Sequence, residues 1–167
     1  NKAPIELYIG LGGAGNTPGD ENKIMSDLTK MYNGLDDDNK FDGIDFDLEG
    51  GIAGWDIVKC IRFTENFEKN VNAKKTIKIQ ITILVGPSYQ SLYIPQIIQY
   101  LNHSSRPYKI NLMLYGSDMI NPAADYGYTQ DGKWLTMRFI DDWGTAGLDN
   151  ANINLGMTTG ALNENMI

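Results

Sequence analysis

A chain of 167 residues, 42% hydrophobic and 21% charged, is long enough for one domain with a sizeable core and too apolar to be disordered. Its formal net charge of −7 argues against a nucleic-acid partner, because binding phosphates relies on clustered Lys and Arg, and here 14 basic residues stand against 21 acidic ones. No apolar run reaches the length that spans a bilayer, no signal-peptide pattern opens the chain, and Cys60 as the only cysteine leaves no intrachain disulfide.

Residues 1–167 are read as a single domain. The chain opens without Met and almost directly on a strand-like segment, as expected of a processed chain or a fragment. Ile5 to Leu11 is rich in β-branched and aromatic residues and predicts a strand ending in Gly12-Gly13-Ala14-Gly15. Those glycines let the backbone turn sharply or approach a ligand closely. A phosphate-cradling loop is rejected, since no G-K-[ST] follows Gly10-x-Gly12-x-x-Gly15. After a turn at Thr17-Pro18-Gly19, the spacing of Ile24, Leu28, Met31 and Tyr32 predicts a helix that Gly34 stops. Asp36-Asp37-Asp38 is a solvated turn, because it lacks the Gly and the distal Glu of a calcium loop.

Phe41-Asp42-Gly43-Ile44-Asp45-Phe46-Asp47-Leu48-Glu49 is the stretch around which the chain is organised. In a strand alternate side chains share a face, so Gly43, Asp45, Asp47 and Glu49 point one way and Ile44, Phe46 and Leu48 the other. Carboxylates stacked at two-residue spacing repel one another, which an ordinary solvated edge strand avoids. Repulsion with partial burial raises the pKa of at least one of them, as a general acid working near neutral pH requires. Glu49, at the C-terminal end of the strand, is the candidate acid, with Asp47 beside it and Asp45 one step deeper.

The loop Gly50-Gly51-Ile52-Ala53-Gly54 then carries Trp55 beside this acid, and Ile57, Cys60, Ile61, Thr64 and Phe67 predict a helix in which Cys60 is plain packing. Thr76 to Val85 alternates most cleanly, with Ile77, Ile79, Ile81, Ile83 and Val85 on one face. Pro95 suits the first turn of a short helix built on Ile97, Ile98 and Leu101, and Asn102-His103-Ser104 forms a glycosylation sequon. Lys109 to Tyr115 predicts a strand on which Asn111, Met113 and Tyr115 share a face. Residues 117–133 read as a long loop over the site, Trp134, Leu135, Phe139, Ile140 and Trp143 as a helix, and Asn152 to Thr158 as a last strand.

Asp42, Asp45, Asp47 and Glu49 fill a D-x-x-D-x-D-x-E spacing that resembles the signature strand of glycoside hydrolase family 18, the chitinases and endo-β-N-acetylglucosaminidases. Gly12-Gly13 resembles the end of the family's S-x-G-G strand, with Gly10 in place of Ser. Met113-x-Tyr115 resembles its M-x-Y-D strand, with Gly116 in place of the acid and Asp118 nearby.

Five strands near residues 5, 41, 77, 109 and 152, alternating with helices, predict an α/β fold. By the resemblance this is part of a (β/α)8 TIM barrel, strands three to seven, lacking strands 1, 2 and 8 and completed by further polypeptide. The alternative is an open doubly wound parallel sheet.

The resemblance implies hydrolysis of β-1,4-linked N-acetylglucosamine polymers, as in chitin or the N-glycan core, by substrate-assisted retaining catalysis. Glu49 would be the acid and base, Asp47 and Tyr115 would hold the acetamido group, and Asp45 would tune the proton. Gly12, Gly13, Met113, Asp118 and Trp55 would line the sugar site, Trp55 serving either as a stacking ring or as packing at the helix start. No metal or organic cofactor is implied. A secreted or extracellular location is, and the rival reading is a non-catalytic, chitinase-like carbohydrate-binding or structural protein.

Overall fold

The structure, a computed structural model, describes residues 5–13, 19–50, 52, 54–84, 87–113 and 143–156. In chain order the main elements are β1 (Tyr8–Gly13), α1 (Glu21–Gly34), β2 (Gly43–Gly50), α2 (Ile57–Val71), β3 (Lys78–Leu84), α3 (Pro87–Gln96), β4 (Tyr108–Met113) and β5 (Ile153–Gly156). All five predicted strands are present. β1 differs from expectation in starting later and in taking in Gly12 and Gly13, which lie inside the strand and not beyond it.

Local chemistry sets the helix ends. Asp20 caps α1 by accepting the Asn22 N–H, and Leu35 swings the chain into extended backbone directly after Gly34. Leu28 and Tyr32 form the buried stripe of α1, whereas Met31, expected in that stripe, falls on its exposed side. Asp56 caps α2 by accepting the Lys59 N–H at 2.6 Å, and Asn72 closes it in the left-handed conformation at φ 50°. Cys60 is buried in α2 with Ile57, Phe63, Thr64 and Phe67, as packing. Two of the three acids, Asp37 and Asp38, open an exposed 3₁₀ turn, Asp37–Asn39, with Asp36 at its N-cap, and Asp37 pairs with Lys40 at 2.7 Å and Lys74 at 2.8 Å.

Pro95 does not start a helix. Pro87 is the first residue of α3 and Pro95 lies inside it, next to its last residue. The ring there supplies no N–H to the ladder and crowds the preceding turn, and the chain continues as a wider π-turn over Ile97–Leu101.

The strands form one five-stranded parallel sheet in the order β1-β2-β3-β4-β5. β1 runs beside β2 in the register Tyr8↔Gly43, Gly10↔Asp45 and Gly12↔Asp47, with a bulge between Gly12 and Gly13. An all-parallel α/β sheet compatible with an open fold is therefore present, but its strand order has none of the reversal that defines double winding.

Side-chain burial follows the strand alternation. Ile44, Phe46 and Leu48 of β2 and Ile79, Ile81 and Ile83 of β3 are buried, whereas Asp45, Asp47, Glu49, Lys78 and Gln80 are half-buried.

The chain divides into two compact units, one of residues up to Ile81 together with Ser104–Tyr108, the other of Thr82–His103 together with residues from Lys109 onward. In the first unit Tyr32, Phe41 and Phe67 make an aromatic cluster, and Phe46, Phe63 and Trp55 make a second. Arg106 fastens the short returning segment to this unit: its Nη1 donates to Glu68 Oε1 and to the Ile77 carbonyl, both at 2.6 Å, and its Nη2 donates to Glu68 Oε2 at 2.8 Å.

Candidate active site

The acidic row of β2 survives folding as a row. Asp45, Asp47 and Glu49 are half-buried on one face of the strand, and the intervening Ile44, Phe46 and Leu48 are buried on the other. Asp42, the first acid of the motif, has a different role. It precedes the strand, accepts the Leu7 N–H at 2.9 Å and binds Lys75 at 2.5 Å, and these two partners, Lys75 foremost, hold its carboxyl below the usual carboxylate range. Asp42 thus ties the approach to β1 to the start of β2.

The residues of β1 that share this face are Tyr8, Gly10 and Gly12, opposite Gly43, Asp45 and Asp47. On the other side of β2, the Lys78 N–H donates to the Asp42 carbonyl at 2.9 Å, which in a parallel ladder sets Lys78 beside Gly43. Carried two residues on, that register sets Gln80 beside Asp45. The Tyr8 ring lies over Gly43, where a β-carbon would come within 2.3 Å of it. Its hydroxyl donates to Glu6 at 3.0 Å, and Lys78 also pairs with Glu6. This network closes the N-terminal end of the acidic face. Burial, foremost, and the Glu6 carboxylate raise the Tyr8 phenol well above its usual range, so it stays protonated and donates.

Above that floor one glycine leaves room. Gly10 has open space where a side chain would stand, directly beside Asp45. Gly12 permits close approach of the strands at φ +103°. Asp47 is the electrostatic centre: burial, then the charges of Glu49 and Asp45, push its carboxyl up to about 6. Its Oδ1 is buried and has no hydrogen-bond partner among the described residues. A carboxyl in that state holds its proton into the mildly acidic range and can donate it in a hydrogen bond.

No protein-family model matches the chain, and no curated protein does either.

The other predicted site residues distribute as follows. Gly12 and Gly13, both at positive φ, form the bulged end of β1 beside β2. Trp55 is not a stacking platform: it is 8% exposed, its ring packs on Phe46 and Phe63, and the Lys59 ammonium lies 4.4 Å from its centroid. Phe46 belongs to the face of β2 opposite the acids, so the indole is committed to the packing under α2. Met113 ends β4 and is 6% exposed. Tyr115 and Asp118 lie outside the described residues, as do the predicted loop at 117–133 and most of the helix predicted around Trp134–Trp143. Among the described residues no group of His, Cys, Asp and Glu is placed to hold a metal ion.

Two features escape the sequence reading. One is the Tyr8–Glu6–Lys78 floor. The other lies in the second unit, where Asn154 Nδ2 donates to Asn111 Oδ1 at 3.2 Å and Asn111 Nδ2 donates to Thr82 Oγ1 at 3.3 Å. A polar residue at alternate positions of otherwise apolar strands is the signal for the second, and Asn111 carries it.

Proposed function

We propose that this chain is the acid-bearing part of a glycosidase of the family 18 type, acting on β-1,4-linked N-acetylglucosamine in chitin or in the N-glycan core. The observation that carries the reading is the state of Asp47, a carboxyl raised to about 6 between two further carboxylates, with a buried oxygen that has no partner among the described residues. A buried polar atom of this kind needs a partner, and the acetamido group of the substrate supplies an N–H.

In this reading the substrate's own acetamido oxygen is the nucleophile, the known exception to the scheme of two enzyme carboxylates. Glu49 protonates the glycosidic oxygen and then activates water. Asp47, aided by Tyr115, orients the acetamido group, and Asp45 shares the proton along the row. The sequential parallel strand order supports a barrel wall, corresponding to strands three to seven, with further polypeptide completing the barrel. A secreted location belongs to the same proposal.

The test is Glu49→Gln in the protein assayed on chito-oligosaccharides and on a chitobiose-core glycan. Loss of a general acid lowers the rate by about 10² to 10⁴ while binding persists. Undiminished turnover sinks the role of Glu49. Binding without any cleavage by the unsubstituted protein replaces the enzyme with a sugar-binding protein.

A further inference from the structure

The open-face positions of β4 and β5 are not what a strand ordinarily carries. β4 alternates between buried Ile110 and Leu112 on one side and Asn111 and Met113 on the other, and Asn111 stands directly opposite Asn154 of β5. Asn is depleted in strands because its amide competes with the backbone for hydrogen bonds, so two in register are costly to place there. These two are joined, with Thr82 of β3, into one line of hydrogen bonds running in a single sense: Asn154 donates to Asn111, and Asn111 donates to Thr82.

The valences of this line are uneven. Thr82 is 7% exposed, so it serves as a buried anchor, whereas Asn111 is half-buried and Asn154 exposed. An Asn amide has two N–H donors and an oxygen with two lone pairs. Among the described residues the line uses one N–H and one lone pair of Asn111 and one N–H of Asn154. Counted over the described residues, each amide has a donor and an acceptor left to offer. Hydrogen bonds in series polarise one another, which strengthens the remaining groups toward a ligand. Met113, two residues along the same side of β4, is 6% exposed, so contacts to a ligand fall to the two amides. Alternating hydroxyl or amide groups over an apolar ring face are the chemistry of a sugar.

We infer that Asn111 and Asn154 form a sugar-binding subsite, with Thr82 positioning the Asn111 amide. The inference rests on the sugar-polymer reading above and names residues that reading does not use. A merely structural role, a ladder that stiffens the sheet, would change stability and leave affinity alone.

The test is titration of an N-acetylglucosamine tetramer into the full chain carrying Glu49→Gln, which preserves the sugar, with the thermal midpoint recorded for every variant. Asn111→Leu and Asn154→Leu should each raise Kd about tenfold, as expected for one or two net hydrogen bonds. Thr82→Val should weaken binding and Thr82→Ser restore it, because only the hydroxyl can fix the amide. If a leucine variant fails to fold, the side-chain amide resonances of Asn111 and Asn154 in the parent protein decide the matter, and both should shift on adding the sugar. Unchanged Kd in the folded variants, or unshifted amide resonances with the sugar bound, overturns the subsite and leaves the functional reading standing. A parent protein that binds no tetramer overturns both.

Discussion

Gly12 stands opposite Asp47 in the β1–β2 ladder at φ +103°, and a β-carbon on it would lie 2.0 Å from the Asp47 carbonyl oxygen and 2.7 Å from Ile52 Cγ1. The bare residue lets β1 close against the acid-bearing strand. Gly12→Ala is therefore expected to destabilise the fold by more than about 1 kcal/mol, since the added methyl meets backbone and the conformation is strained for any L side chain. Gly10→Ala, with open space around its β-carbon, should stay within about 0.5 kcal/mol. Urea unfolding of the two variants makes the comparison.

Asp47 makes stability depend on pH in the direction opposite to most acids. Its folded carboxyl titrates near 6, above the ordinary value of 3.8, so between those limits the folded state binds more proton than the unfolded one. Stability attributable to Asp47 then falls as pH rises from about 4 to about 6 and is level beyond. Asp47→Asn should abolish that slope while leaving unaltered the acid-side loss due to Asp37 and Asp42, whose carboxyls are held low by lysines. Denaturant midpoints of both proteins across pH 4 to 7 check it, and an unchanged slope in the variant would show that Asp47 is not the titrating group.

The pairing of Arg106 with Glu68 is a two-pronged contact in a largely buried setting, with Glu68 Oε1 also accepting the Ile77 N–H at 2.6 Å. Burial pushes the Glu68 carboxyl up, yet the bonds from Arg106 and Ile77 outweigh it and hold the carboxyl below its usual range. Arg106→Met should cost up to about 3 kcal/mol, because it strands a carboxylate and the Ile77 carbonyl. Arg106→Lys should recover only part of this, a point charge being unable to reproduce the fork.

Trp55→Ala should lower stability by about 3 kcal/mol or more, the usual effect of deleting a large aromatic from a core. Trp55→Phe, which keeps an aromatic ring among Phe46 and Phe63, should leave sugar affinity as it is. A selective loss of affinity in a stably folded Trp55→Phe protein would return the indole to the binding site.

The alternation of residues 43–49 and 77–83 was legible because burial on one face imposes a strict period of two, and the structure buries Ile44, Phe46, Leu48, Ile77, Ile79, Ile81 and Ile83 together. The helix around Cys60 was legible for the same reason at a period near 3.6. What eluded sequence reasoning depends on neighbours that only the folded chain brings together. Trp55 could have served a ligand or the core, and only the positions of Phe46 and Phe63 decide. That burial and repulsion raise a carboxyl in the acidic row was legible, and which one it is depends on burial in the fold: Asp47, through burial first and then the charges of Glu49 and Asp45. Pro95 reads as a helix start when only the residues after it are considered, and the helix begun at Pro87 contradicts that. The pairing of Asn111 with Asn154 needs a strand register that spans 43 residues of chain.

The route of the chain between its two compact units, leaving the first after Ile81, returning for Ser104–Tyr108 and leaving again at Lys109, bears on how the protein can be dissected. Neither unit is a continuous stretch of sequence. Terminating the chain after Ile81 would deprive the first unit of Arg106 and expose the Glu68 carboxylate, so truncation libraries should show no folded fragment ending there. A protease nick within 82–103 would cut the covalent thread without removing Ser104–Tyr108 from its place, and the first unit could retain its returning segment after cleavage. Circular permutants opened in that interval would keep all the sequence each unit needs, whereas gene halves divided there would have to find each other to fold.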